Sequence, residues 1–139
     1  MGCEFLQYPR AEWEKYSPKF HELIFGEVFD PAEDKCSFAI VAAIENEPAA
    51  FMTGIELSAR SFHIQYGGVF VQYRGTGQTR QMVSGLLSKL SEVYDTVSCR
   101  VRNDNLQCLI MLSKSGFSVV GTKTYDCGIY LEMSINLGV

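Results

Sequence analysis

The sequence predicts an α+β domain of mixed α/β character, built on a mixed, mostly antiparallel sheet of six to seven strands with four helices. Three observations carry this. Three strand-like segments between residues 37 and 71 follow one another through short polar connections of hairpin length. From Arg80 to Tyr94 the hydrophobic period changes to 3.6 residues. A further strand after that helix implies a right-handed parallel crossover within the sheet.

The elements follow in order. Residues 3–8 (CEFLQY) form a first strand closed by Pro9. From Ala11 to Phe29, Trp13, Tyr16, Phe20, Leu23 and Ile24 recur at mostly helical spacing, and Pro18 splits the region into two short helices ended by Asp30-Pro31. Strands are expected at 37–45, 49–57 and 62–71. Between Arg80 and Tyr94, one helical face carries Met82, Val83, Leu86, Leu87, Leu90, Val93 and Tyr94. Residues 96–102 alternate as a strand. A helix over 104–115 turns Leu106, Leu109, Ile110 and Leu112 inward, with Gly116 as its stop and Phe117 as the apolar residue after it. Two strands, 117–125 and 128–136, turn near Asp126-Cys127-Gly128. The order is β-αα-βββ-α-β-α-ββ in a single domain, 1–139.

The totals exclude several classes. The chain has 139 residues, 47% hydrophobic and 20% charged, the balance of a soluble globular domain. No apolar run approaches the roughly 20 residues of a membrane span, and the N-terminus lacks a signal peptide's basic head and apolar stretch. A cytoplasmic protein without membrane partners is expected. A net charge of −4 argues against nucleic-acid binding. Five cysteines without a C-x-x-C pair read as reduced, buried thiols, with no metal site expected. Between Glu56 and Glu92 there is no acidic residue, while Arg60, Arg74, Arg80 and Lys89 fall there.

That window centres on VFVQYRGTGQTRQ, Val69 to Gln81. Gly75 and Gly77 between strand and helix let the backbone curl and approach a ligand closely. The first helical amides lack intrahelical acceptors and carry partial positive charge, so they suit a phosphate. Arg74 and Arg80 would add charge-assisted hydrogen bonds. Gly85, within the helix, costs about 1 kcal/mol against Ala and would let another element pack close. A mononucleotide P-loop would need a lysine that is missing. A dinucleotide fingerprint fails at the third glycine, where Arg80 stands, and finds Arg100 and Arg102 where it wants an acid. The pyrophosphate of coenzyme A is the remaining phosphate ligand. A plain helix N-cap is the reading without a ligand.

The chain resembles the GCN5-related N-acetyltransferase (GNAT) superfamily. That family's coenzyme turn, [QR]-x-x-G-x-[GA], is similar to Arg74-Gly75-Thr76-Gly77-Gln78-Thr79, with Thr79 departing at the last position. Its downstream N-x-x-A-x-x-L-Y-x-K-x-G-F is similar to residues 105–117 in Asn105, Lys114, Gly116 and Phe117. The resemblance implies an acetyl-CoA-dependent N-acetyltransferase in which an amine attacks the thioester directly, without metal. It implies that Val69, Phe70 and Val71 bond pantetheine, that Gly75, Thr76, Gly77, Gln78, Thr79 and Arg80 hold the diphosphate with Arg74, and that Asn105 bonds pantetheine or caps its helix. A backbone N–H at Val69 or Phe70 would stabilise the oxyanion. The family's proton-donating Tyr is replaced by Leu112, so Tyr125 and Cys108 are replacement donors. A non-catalytic acyl-CoA-binding module is the alternative, and a homodimer is compatible with the family.

For the base, His63 lies at the distance before the turn where one branch of the family carries its catalytic Glu, and an imidazole titrates near neutrality. Tyr66 and Glu56 would line the acceptor cleft. His21 reads as a surface helix residue. Eleven Asp and Glu in the first 56 residues point to a cationic small amine or lysine-type acceptor, or simply to a solvated face.

Overall fold

The computed structural model describes residues 3–27, 35–74 and 77–138. It contains β1 (Cys3–Pro9), α1 (Arg10–Trp13), α2 (Ser17–Phe25), β2 (Phe38–Ile44), β3 (Glu47–Ser58), β4 (Ser61–Val69), α3 (Gln78–Ser91), β5 (Thr96–Arg102), α4 (Leu106–Lys114), β6 (Ser118–Tyr125) and β7 (Gly128–Asn136). The order is the expected one. All seven strands join one sheet in the order β1-β2-β3-β4-β5-β7-β6. β4 and β5 run parallel and their neighbours antiparallel, so the crossover through α3 lies inside an otherwise antiparallel sheet. The final hairpin inserts β7 against β5 and leaves β6 at the edge.

Alternation along the strands divides the molecule into layers. Val97, Cys99 and Val101 of β5 turn one way, into a core with Ile40, Met52, Phe62 and the inward residues Leu87, Leu90 and Leu112 of α3 and α4. Ala39, Val41 and Phe51 turn the other way and meet Trp13 and Ile24 of α1 and α2. Ser98 and Arg100, between the buried β5 positions, project from this second face. Gly85 of α3 faces β1, where an added Cβ would lie 2.5 Å from the Phe5 ring, so the close packing its position allowed is realised.

Local chemistry explains the helix ends. Pro18 lies in the first turn of α2, where its missing N–H costs nothing. Gly116, at φ 107°, closes α4. The Gly116 N–H then reaches Ser113 O at 3.2 Å and the Phe117 N–H reaches Leu112 O at 3.0 Å. That pair of bonds satisfies the last carbonyls and drives Phe117 into the core.

Several expectations are corrected. Strand β4 ends at Val69, and Val71–Tyr73 is a single 3₁₀ turn rather than strand. The cause is Phe70, whose ring is buried among the aromatics under α2, 5.4 Å from Phe20. Helix α3 ends at Ser91, so Val93 leaves the apolar stripe and is 60% exposed, while Tyr94 stays buried. In α4 the inward face is Cys108, Leu109, Met111 and Leu112, and Leu106 and Ile110 lie on the outer face. Cys36 and Cys99 are buried as expected, but Cys127 is exposed at the last hairpin. Asp30-Pro31 lies outside the described residues. Among the described residues, no helix is long and apolar enough to cross a membrane.

Phe117→Ala removes the ring that seals α4 against the sheet. It is expected to lower the unfolding free energy by about 3–5 kcal/mol, read as a fall in urea midpoint at unchanged denaturant slope.

Candidate active site

The site begins where two parallel strands part. β4 and β5 pair only from Ser61–Thr96 to Ile64–Cys99. Directly after Ile64 the β3–β4 register shifts, so that Gln65 stands as an extra residue between the pairs Gly54–Ile64 and Thr53–Tyr66. A bulge of this kind bends and twists its strand, and β4 turns away from β5. Beyond it, the Phe70 N–H bonds Ala49 O at 2.9 Å. Antiparallel pairs alternate between bonded and unbonded. With Phe70–Ala49 bonded, Gly68–Phe51 is bonded too, and the intervening Gly67 and Val69 turn their N–H and C=O towards the gap.

A cleft of about 370 Å³ occupies this gap, a size that suits a small ligand or part of a larger one. Its walls are mostly apolar. They run from Phe25, Tyr66 and Val69 past Met82 and Val83 of α3 to Cys99, Cys108, Met111 and Leu112. Asn105, Arg100 and Arg102 supply the polar side chains on the β5 side. Asn105 is the N-cap of α4 and accepts the Cys108 N–H at 3.3 Å, and it also lines the cleft. The two roles considered for it are compatible in space.

Val69 and Met82, either side of the turn after β4, both line the cleft. Gly75 and Thr76 fall outside the described residues. Gly77 is the N-cap of α3 at φ 82°, a left-handed conformation that favours glycine, and an added Cβ would meet nothing within 4 Å among the described residues. The N-cap Gly77 makes no side-chain cap bond and no acid stands in the first turn of α3, so among the described residues no carboxylate of that turn opposes the positive end of its dipole. Thr79 donates from Oγ1 to Tyr73 O at 3.4 Å, across the turn. Arg80 is exposed on the first turn of α3. Arg74 has partners of its own. Its Nε donates to Val69 O at 2.8 Å and its other guanidinium nitrogen to Ile24 O at 3.1 Å. It ties the turn to the end of α2 and stiffens the cleft rim.

The acid-free stretch of sequence is not acid-free in space. Arg60 pairs with Asp95, the contact being 2.8 Å on its second nitrogen. Lys89 shares a small pocket with Glu56. Only Arg74 and Arg80 of the four cations sit beside the turn.

The remaining candidates separate clearly. Val69 lines the cleft, and its N–H is turned to the gap. Phe70 does not offer its N–H for an oxyanion, because Ala49 O holds it. Val71 is 70% exposed, its carbonyl accepts the Arg74 N–H at 3.2 Å, and it lies outside the cleft wall. Tyr66 lines the cleft with its ring 5.1 Å from His21. His21 is not a surface residue: it is 4% exposed, packed between Phe25, Phe51 and Tyr66. Helical spacing revealed only a polar residue there, and the aromatic cluster that buries it comes from distant strands. Glu56 accepts from Tyr94 Oη at 2.9 Å, away from the cleft. With burial, that contact pushes the Tyr94 pKa up to about 12. Tyr125 is at the β6–β7 turn, stacked edge-on to Tyr130, and does not line the cleft.

His63 stands one residue before the parting point, on the second face of the sheet. Its Nδ1 is 2.9 Å from Ser98 Oγ. Burial lowers its pKa, the Arg100 guanidinium lowers it further, and Glu132 pulls weakly the other way. Burial pushes the Cys99 thiol up to about 12, with Cys108 adding to it, and raises the Cys108 thiol as well. Both are held as neutral thiols in the cleft wall. Among the described residues, no group of three or more His, Cys, Asp or Glu is placed to hold a metal ion.

The sequence matches no family model and no curated protein. Solved structures do match. The ribosomal-protein-S18-alanine N-acetyltransferase from Escherichia coli superposes with a TM-score of 0.77 at 12% identity, over 99% of this chain and 96% of that one. Ard1 from Thermoplasma volcanium gives 0.73 at 18% identity, over 98% of each chain. A chimera of the spermidine N-acetyltransferase SpeG from Vibrio cholerae and hSSAT gives 0.77 at 12% identity, over 99% and 96%. At these identities the likeness establishes the fold.

The imidazole of His63 sets a pH dependence of stability. Its folded pKa lies below the ordinary 6.5. As pH falls below that value the unfolded chain binds a proton that the folded chain refuses, so stability is complete above pH 6.5 and declines beneath it. In urea titrations between pH 7.5 and 5.5, His63→Gln is expected to flatten part of this decline relative to the unmodified chain.

Proposed function

Because the chain has the GCN5-related N-acetyltransferase fold, we propose that it transfers the acetyl group of acetyl-CoA to a primary amine by direct attack in a ternary complex. The carrying observation is the cleft between the parted strands, with the backbone of Gly67 and Val69 turned into it and Met82 and Val83 of α3 in its wall. The Gly67 N–H and C=O would bond a pantetheine amide. The amides of the turn and of the first turn of α3, with Arg80, would hold the diphosphate. The Val69 N–H is the oxyanion donor in this reading, because the Phe70 N–H is already bonded.

The amine nitrogen bonds to the acetyl carbon, the carbon–sulfur bond breaks, and the thiolate takes a proton. Leu112 cannot supply it. Cys108 stands one helical turn before Leu112 in the same cleft wall, and burial keeps its thiol protonated. It is the proton donor that the geometry favours, and the proton that the nitrogen sheds as the amide forms would return Cys108 to its thiol. His63, held neutral by its surroundings, would take the proton of the incoming ammonium through water. Free thiols throughout fit a reducing, cytoplasmic compartment.

Leu112 also favours a second reading. A buried leucine where the family keeps its acid fits an acyl-CoA-binding module without turnover. Thermal stabilisation by acetyl-CoA with no thiol release across a broad amine panel would select it.

Acetyl-CoA at 100 times its Kd should stabilise the protein by about 2.7 kcal/mol, seen as a rise in Tm. Arg74→Ala should lower the resting Tm and shrink that rise, since the rim loses its tie to α2. An unchanged Tm at millimolar acetyl-CoA would overturn both readings. Where thiol release is seen, Cys108→Ala should slow kcat by about 10²-fold and leave the Tm rise intact. An unchanged kcat would remove Cys108 from the mechanism.

A further inference from the structure

The cleft wall carries two cations, Arg100 and Arg102, and no carboxylate among its described residues. They are not equivalent. Arg102 donates from Nε to Asp104 at 3.3 Å, and its guanidinium lies over Gly128, 3.1 Å from where a Cβ would stand. Arg100 is exposed and makes no hydrogen bond or ion pair within the described residues.

The direction of Arg100 follows from its strand. Cys99 and Val101 on either side are buried against the α3 and α4 layer. The Arg100 side chain therefore leaves from the opposite face, the one that carries His63 and Ser98. The start of α3, where a diphosphate would sit, belongs to the other layer.

The charges around Arg100 are few. Glu132 is its cross-strand partner on β7. The two make no ion pair within 4.0 Å among the described residues, and Glu132 also pairs across the sheet with Gly121 of β6. His63 on β4 is held neutral. A guanidinium that makes no ion pair among the described residues, beside an apolar slot, is a fork for a carboxylate, which it can grip through two parallel hydrogen bonds. A polyamine would meet this cation with its own charge.

We propose that the acceptor is a small amine that carries a carboxylate, an amino acid or close analogue, and that Arg100 grips the carboxylate so that the amine faces the thioester. This replaces the cationic acceptor suggested by the acid-rich first half of the sequence, and it rests on the acetyl-transfer reading above. The amine panel is best built as matched pairs, each amino acid beside its carboxamide, with spermidine and putrescine added.

Free thiol release should favour the carboxylate member of at least one pair by about tenfold or more, the size expected when a charge-assisted bidentate contact is lost. Arg100→Gln should raise KM for that substrate by a similar factor and abolish the preference, with the Tm rise on acetyl-CoA unchanged. Arg100→Lys should recover part of it. Equal or better turnover of carboxamides or polyamines overturns the proposal. So does an Arg100→Gln variant that loses the acetyl-CoA Tm rise, because the arginine would then serve the coenzyme. Absence of thiol release with the Tm rise intact overturns the acceptor assignment but leaves coenzyme binding. Absence of both overturns the acetyl-transfer reading and this inference with it.

Discussion

The extra residue at Gln65 governs the architecture of the site. Parallel pairing between β4 and β5 lasts four residues and stops where the bulge falls. An unbroken ladder would have joined the two strands and consumed the backbone groups of Gly67 and Val69. The bulge instead leaves polar backbone in the wall of an apolar cleft. Buried N–H and C=O groups are costly without partners, so such a wall favours water or a ligand with amides of its own.

The parting also lets one cleft touch both layers of the molecule. On the helical side, Met82, Cys108 and Leu112 make a neutral, apolar surface with two thiols held protonated. On the other side stand Tyr66 and Arg100. The first surface suits a long, uncharged carrier arm, and the second suits a polar molecule. The division arises from strand alternation: Cys99 and Arg100 are neighbours in sequence and face opposite layers.

Element order was legible because the hydrophobic period changes sharply at Arg80 and because Gly116 and Pro18 act locally. The closing bonds of α4 need only one glycine and the apolar residue after it. The turn at Gly77 was legible for the same reason. The failures have a common cause. Phe70 and Val71 read as strand by composition, yet the aromatic cluster under α2 captures Phe70 and bends the chain. The bonds of Arg74 to Val69 O and Ile24 O were not foreseen, because sequence does not advertise carbonyl partners. Ile110 and Leu106 are apolar and exposed, so the phase of α4 was ambiguous among many apolar positions. His21 and Glu56 were misplaced because their partners, Tyr66 and Tyr94, come from other elements. The bulge at Gln65 leaves no composition signal, and it decides the site.

Backbone amide hydrogen exchange, with and without acetyl-CoA, reads the parted strands themselves. New protection is expected at Gly67 and Val69, whose N–H groups face the gap, with little change at Phe70, already bonded to Ala49. Protection confined to other surfaces, with Gly67 and Val69 exchanging as before, would contradict a coenzyme site in the gap.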